Sequence, residues 1–173
     1  MAIEHKVFFW LNNFAGQSRF FDGLIVFFAH YLAYLLVLVF IIVLCLSGRE
    51  RTRRIYWFVT AAAAALVARL GVTELIRLVY QRPRPFITYS VHQLIPESGW
   101  SFPSGHTSFF FAFSTIVYFY NKTLGYWFLA ASALMGLARI VAGVHYLSDV
   151  LAGAVVGWLV GLVVYKVFRR WYN

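Results

Sequence analysis

The sequence predicts an all-α fold: a polytopic membrane helix bundle of about five transmembrane helices, preceded by an N-terminal interfacial helix. Two observations predict it. Hydrophobic residues make up 62% of the 173 positions and charged residues only 12%, against about 25% charged in a soluble domain. The apolar residues are also gathered into runs long enough to cross a hydrocarbon core of about 30 Å, and the mean hydropathy is +0.73.

Each element has its own signature. Residues 3–14 mix apolar and polar side chains over a stretch too short to span, which predicts an interfacial helix. Residues 23–46 are almost wholly apolar and form the first predicted span. The basic loop Ser47–Arg54 leads to a second span over 55–80, which contains Ala61–Ala65 and carries Arg69, Glu74 and Arg77. A Pro-containing loop covers 81–103. A third span runs over 104–120, a fourth over 123–141 after the turn at Asn121–Lys122, and a fifth over 148–168. Gly153, Gly157 and Gly161 recur every fourth residue, a spacing that lets the fifth span pack closely on another helix, within the monomer rather than between copies. All five spans are expected to form one domain covering residues 1–173, with no cleaved leader.

Composition excludes several classes. One cysteine, Cys45, leaves no intrachain disulfide and no multi-cysteine metal site. The net charge of +9 comes without a basic tract interleaved with aromatics, so nucleic acid is not an expected partner. The six acids are too scattered for a carboxylate metal cage, and no metal or other cofactor is expected.

Polar residues inside such a chain need a reason, because burying them in a bilayer is costly. They fall into three clusters: Arg77-x6-Arg84-Pro85, Pro103-Ser104-Gly105-His106 and Arg139-x5-His145-x3-Asp149. Antiparallel succession of the five spans puts all three at one end of the bundle. Three guanidiniums match an anion with several oxygens, most simply a phosphate. His145 and Asp149 stand four apart and share a helix face, so Asp149 can orient the imidazole while its other nitrogen attacks phosphorus. Ser104 and Gly105 open a helix, where free N–H groups bind anions and a glycine admits close approach. His106 is placed to protonate a leaving oxygen. Taken singly, each cluster has a plainer account: a capping Asp149, an ordinary Pro-Ser helix start, arginines drawn to lipid head groups. Together they point to phosphoryl transfer.

Positive charge orients the chain. Arg49, Arg51, Arg53, Arg54, Lys122, Lys166, Arg169 and Arg170 lie at the end away from the clusters, against Lys6, Arg19 and Arg82 at the cluster end. The basic end is expected to be cytoplasmic, so the clusters face periplasm or exterior. Glu74 and Arg77, three apart, share a face, whereas Arg69 and Glu74, five apart, are expected to share one poorly. His5, His30 and His92 have no matched partners and are read as structural, with His92 alone near enough in the cluster-side loop to touch substrate.

The three clusters resemble the signature of the type 2 phosphatidic acid phosphatase superfamily. Pro103–His106 matches fully. Arg77 stands where the family has lysine, and Ala138 where it has serine before Arg139. The resemblance implies His145 as nucleophile through a phosphohistidine, Asp149 as its orienting carboxylate and His106 as acid. It implies Arg77, Arg84, Ser104, Gly105 and Arg139 as phosphate holders, no metal, and a lipid phosphate substrate. The stretches around Arg82–Phe86 and Val91–Pro96 look like the bacitracin-resistance branch of undecaprenyl-diphosphate phosphatases, implying a bacterial inner membrane. Lipid A, phosphatidylglycerophosphate or phosphatidate phosphatases share the core motifs. A lipid-phosphate binder or translocator, needing the arginines but not His145, is a non-enzyme alternative, and a soluble haloperoxidase shares the motif pattern but not the hydropathy.

Overall fold

The computed structural model describes residues 3–172, with side chains described through Arg170, and the described residues are helical wherever they are regular. Helix α1 is Ile3–Asn12, α2 Arg19–Leu46 and α3 Arg51–Val79. A short α4, Pro85–Thr88, interrupts the long loop. Then come α5, Gly105–Tyr120, α6, Lys122–Val141, and α7, Leu147–Tyr172. Helices α2, α3, α6 and α7 are long and apolar enough to cross a membrane. They cover four of the five predicted spans, with boundaries moved by a few residues.

The third predicted span differs in character. Helix α5 has 16 residues, about 24 Å at 1.5 Å per residue, less than a full hydrocarbon core. It does not need the full thickness, because the other helices surround it. Thr107, Ser108, Phe110, Ala112, Phe113, Ser114, Thr115, Ile116 and Val117 are all buried, and α3, α6 and α7 pack on it. Its small polar residues are satisfied internally. Thr115 Oγ1 donates to the Phe111 carbonyl at 2.7 Å, and Ser114 and Ser132 hydroxyls pair at 2.9 Å, as buried polar groups must.

The glycine stripe of α7 explains how closely α5 is held. A Cβ at Gly153 would stand 2.6 Å from the Ser104 carbonyl oxygen, and one at Gly161 would stand 2.7 Å from Thr115 Cβ. Small residues permit this approach, and it fixes the start of α5 against the start of α7.

Two helices are locally rewound. Phe27–Tyr31 within α2 and Val67–Val72 within α3 are π-helical turns, closed by i→i+5 bonds that recur at functional sites. They bring residues five apart onto one face, which corrects the expectation for Arg69 and Glu74: the two form an ion pair.

Helix α1 lies across the site end rather than standing apart. Phe8 and Asn12 are buried. Asn12 Nδ2 donates to the carbonyls of His92 and Val141, each at 2.9 Å, and the His92 amide donates back to Asn12 Oδ1 at 3.1 Å. The clasp is tight because Gly143, at φ +79, has no Cβ to meet the His92 carbonyl. His92 is thereby held in structure.

Candidate active site

The site forms where α3, the 81–103 loop, the start of α5, the end of α6 and the start of α7 converge. All eight residues expected from the sequence lie in this region. Arg84, Ser104, Arg139, His145, Asp149 and Arg77 are buried, and His106 is 37% exposed, the accessible member of the set.

His145 sits on the turn between α6 and α7. Its Nε2 is 3.3 Å from Arg84 Nη1, and its Nδ1 is 3.5 Å from Asp149 Oδ2. A guanidinium only donates, so the Nε2 facing it is the unprotonated nitrogen and Nδ1 carries the hydrogen. Burial lowers the imidazole's proton affinity, the bond to Asp149 raises it, and Arg139 and Arg84 lower it again. The net result is a pKa of about 4, so the ring is neutral at ordinary pH, with the Nε2 lone pair directed at the arginines.

Asp149 is more heavily held than the sequence indicated. Ser101 Oγ donates to its Oδ2 at 2.5 Å, the Tyr146 amide donates to the same oxygen at 2.8 Å, and Arg82 Nη1 donates to Oδ1 at 2.9 Å. Ser101 Oγ also lies 3.4 Å from His145 Nδ1. Arg82 in turn donates to Glu4 Oε2 at 2.9 Å and lies over the Tyr146 ring, which ties the carboxylate to α1. Neither Ser101 nor Arg82 was singled out from the sequence. Their closeness to Ser104 and Arg84 was the available signal.

The arginines form the opposite wall. Arg84 donates through Nε to the Gly99 carbonyl at 3.0 Å, through Nη2 to the Ser98 carbonyl at 2.9 Å and through Nη1 to the Val144 carbonyl at 3.1 Å. Gly99, at φ +69, makes the turn that presents two of these carbonyls. Burial and the neighbouring cations Arg139 and Arg77 lower the Arg84 pKa to about 10, against the pull of Glu97, and leave it charged at neutral pH. Arg77 donates to Glu74 and to the Pro103 carbonyl, each at 3.1 Å. Arg139 donates to the Ala29 carbonyl at 3.1 Å.

Glu97 occupies the middle of this wall. It pairs with Arg139, lies 3.3 Å from Arg84 Nη2 and 3.8 Å from His106 Nδ1. Burial pushes its carboxyl up, but Arg139 and Arg84 outweigh that and hold it at about 2. In the sequence Glu97 is one of six scattered acids. It is a loop residue 42 positions from Arg139, a separation no local pattern marks.

Charge and hydrogen bonding are both left incomplete. The guanidiniums of Arg69, Arg77, Arg84 and Arg139 pair with only Glu74 and Glu97, leaving two positive charges uncompensated. The Nε donors of Arg77 and Arg139 are buried without a hydrogen-bond partner, which is costly unless an acceptor arrives. Beside them stands a neutral imidazole whose unprotonated nitrogen faces Arg84.

A buried histidine, its carboxylate and a cluster of buried arginines at one end of a membrane helix bundle are the parts of a phosphoryl-transfer site. Comparison with known proteins agrees. The PAP2 superfamily profile matches residues 55–173, and the chain belongs to that superfamily. It is 32% identical over 167 residues, 95% of its length and 83% of the relative's, to undecaprenyl-diphosphatase BcrC of Bacillus subtilis. It is 34% identical over 123 residues, 66% of its length and 48% of the relative's, to a lipid A 1-phosphatase of Rhizobium johnstonii. The crystal structure of Aquifex aeolicus LpxE superposes with a TM-score of 0.76 at 27% identity, covering 96% of both chains. The protein is a multi-pass membrane lipid phosphatase of the PAP2 type.

Proposed function

We propose that this phosphatase removes the terminal phosphate of a lipid diphosphate, undecaprenyl diphosphate or a close isoprenoid analogue, at the outer face of a bacterial inner membrane. The observation that carries the reading is the pair of unpartnered buried guanidinium donors, on Arg77 and Arg139, at the same end of the bundle as the unprotonated Nε2 of His145. The relative named for undecaprenyl diphosphate matches along nearly the whole chain. The excess of Arg and Lys at the end opposite the site supports the outward orientation.

The terminal phosphoryl group replaces the Glu97 carboxylate on Arg84 and Arg139 and takes up the free Nε donors. Ser104 and the amides at the start of α5, with the close approach allowed by Gly105, complete the cradle. His145 Nε2 forms a bond to phosphorus as the bond from phosphorus to the bridging oxygen breaks. The electron pair of that bond leaves with the lipid monophosphate, which takes a proton from His106. Asp149, braced by Ser101 and Arg82, stabilises the charge that develops on the His145 ring. Water then attacks phosphorus, giving its proton to His106, and the N–P bond breaks to free inorganic phosphate and His145. These residues supply the chemistry without a metal.

A second reading is hydrolysis of the 1-phosphate of lipid A, favoured by the Rhizobium relative. Phosphate release by the purified protein in detergent with EDTA separates the readings. Fastest release is expected from undecaprenyl diphosphate, and none from the His145→Ala variant on any lipid. Faster release from lipid A would select the second reading, and EDTA-sensitive release would overturn the metal-free mechanism.

A further inference from the structure

We propose that Arg69 and His30 form a second phosphate subsite, next to the first, that holds the phosphate remaining on the lipid and so makes the enzyme selective for diphosphates over monophosphates. This rests on the reading of a lipid diphosphate substrate.

The two π-helical turns are the starting point. Each rewinds a helix at one position only, and each carries a polar residue: His30 on α2 and Arg69 on α3. Both residues line one cavity of about 270 Å³, far more room than one water needs, together with Tyr34, Val37, His106 and Phe109. One end of that cavity therefore reaches the residue placed to protonate the leaving group. The rest of its wall is apolar, and His30 and Tyr34 are exposed at the bundle surface, where a hydrocarbon chain would leave into the bilayer. His30 was read from the sequence as structural, yet the described structure gives it only edge contacts with the rings of Tyr31 and Tyr34.

Arg69 is fixed in position rather than free. The π-helical turn stacks it over Glu74, which also holds Arg77 at 3.1 Å, so one carboxylate ties the cavity arginine to the arginine of the reacting pocket. Arg69 also lies across Gly105. A Cβ there would stand 2.9 Å from its Cζ, and nearer still to its Nε. The missing side chain of Gly105 makes room for a guanidinium one residue from His106.

The cavity thus joins Arg69 and His106, which meet at Gly105, with His30 and an apolar wall. A lipid diphosphate asks for the same parts: an acid at the bridging oxygen, cations at the second phosphate and an apolar surface for the hydrocarbon. When the bond to the bridging oxygen breaks, the second phosphate gains negative charge, and a guanidinium beside it stabilises that charge. A lipid monophosphate places hydrocarbon there and gains nothing from Arg69.

The test compares kcat/KM on an isoprenoid diphosphate and on the monophosphate with the same tail, for wild type, Arg69→Gln, His30→Ala and Glu74→Gln. Inorganic diphosphate and orthophosphate serve as competing inhibitors. Arg69→Gln is expected to lose at least tenfold more on the diphosphate than on the monophosphate, and to lose the wild type's tighter inhibition by inorganic diphosphate. His30→Ala should shift both ratios the same way by less. Equal losses on both lipids in Arg69→Gln, matched by Glu74→Gln, would mean that Arg69 only steadies Arg77 and would overturn the subsite. The inhibitor arm keeps the two readings apart. A wild type that prefers monophosphate lipids, yet binds inorganic diphosphate more tightly through Arg69, refutes the substrate and retains the subsite. Equal inhibition by the two anions in wild type refutes the subsite whatever the lipid.

Discussion

Replacing Glu97 by Gln should tighten phosphate binding while weakening the empty protein. Glu97 lies 3.3 Å from Arg84 Nη2 and pairs with Arg139, both nearly inaccessible to solvent. At an effective dielectric near 20, two unit charges 3.3 Å apart interact by about 5 kcal/mol. An arriving phosphate trades one such contact for another, so the net effect is smaller. One charge-assisted hydrogen bond is worth about 1.5–3 kcal/mol, and removing the competitor's should tighten inorganic phosphate binding about 10- to 100-fold. Without phosphate, Arg84 and Arg139 are left facing an uncharged amide. Breaking a buried pair costs about 3–5 kcal/mol, a Tm loss of roughly 6–12 °C at the low end for a chain of this size. The assay is phosphate inhibition of turnover, with thermal melts in detergent at zero and saturating phosphate. Tighter inhibition and a melt that phosphate restores are expected. Weaker phosphate binding would refute the reasoning, because Glu97 would then be holding the arginines open for phosphate rather than competing with it.

Four further outcomes are expected. Acidifying the assay should abolish kcat/KM as pH falls through about 4, because His145 must be neutral to attack and burial depresses its pKa to that value. An acid limb near 6.5 would contradict its burial. The same group binds a proton more readily unfolded than folded, so its contribution to stability declines as pH drops from 6.5 towards 4. Ser101→Ala removes the 2.5 Å bond to Asp149 and should lower kcat about tenfold or more with little change in KM; steady-state kinetics would show a KM effect instead if Ser101 touches substrate. His106→Ala should cost less on a diphosphate than on a phosphate monoester, since a departing phosphate needs protonation less than a departing alkoxide; equal losses would remove His106 from the acid role. Gly153→Ala should destabilise the fold by roughly 1–3 kcal/mol through overpacking against the Ser104 carbonyl, read as a lower Tm.

The helices were legible because a bilayer demands long apolar runs, and hydropathy reports them directly. Even α5, buried inside the bundle, was located, since turn residues bound it on both sides. The convergence of the eight candidate residues was legible through spacing: antiparallel spans deliver three clusters to one end. What escaped depends on backbone detail or on long separation. A π-helical turn leaves no periodic mark on an apolar sequence, so Arg69 and Glu74 were judged by α-helical geometry and misplaced. Glu97 acts through Arg84, Arg139 and His106, all brought to it by tertiary structure. Ser101 and Arg82 look like loop residues until Asp149 is seen between them. Arg77 in place of lysine is explained, since two of its nitrogens reach separate acceptors, Glu74 and the Pro103 carbonyl, which a single ammonium would do less well. Ala138 is buried against Ala29, Ala142 and Val144, and nothing in the structure explains the loss of the serine.

The central claim is that His145 carries the phosphoryl group. Rapid acid-free quenching of enzyme mixed with a lipid diphosphate labelled in its terminal phosphate, followed by peptide mapping, tests it most directly. Label is expected on His145 in wild type, accumulating when water attack is slowed, and none in His145→Ala. Phosphate release at wild-type rate with no labelled protein, or label on another residue, would contradict it.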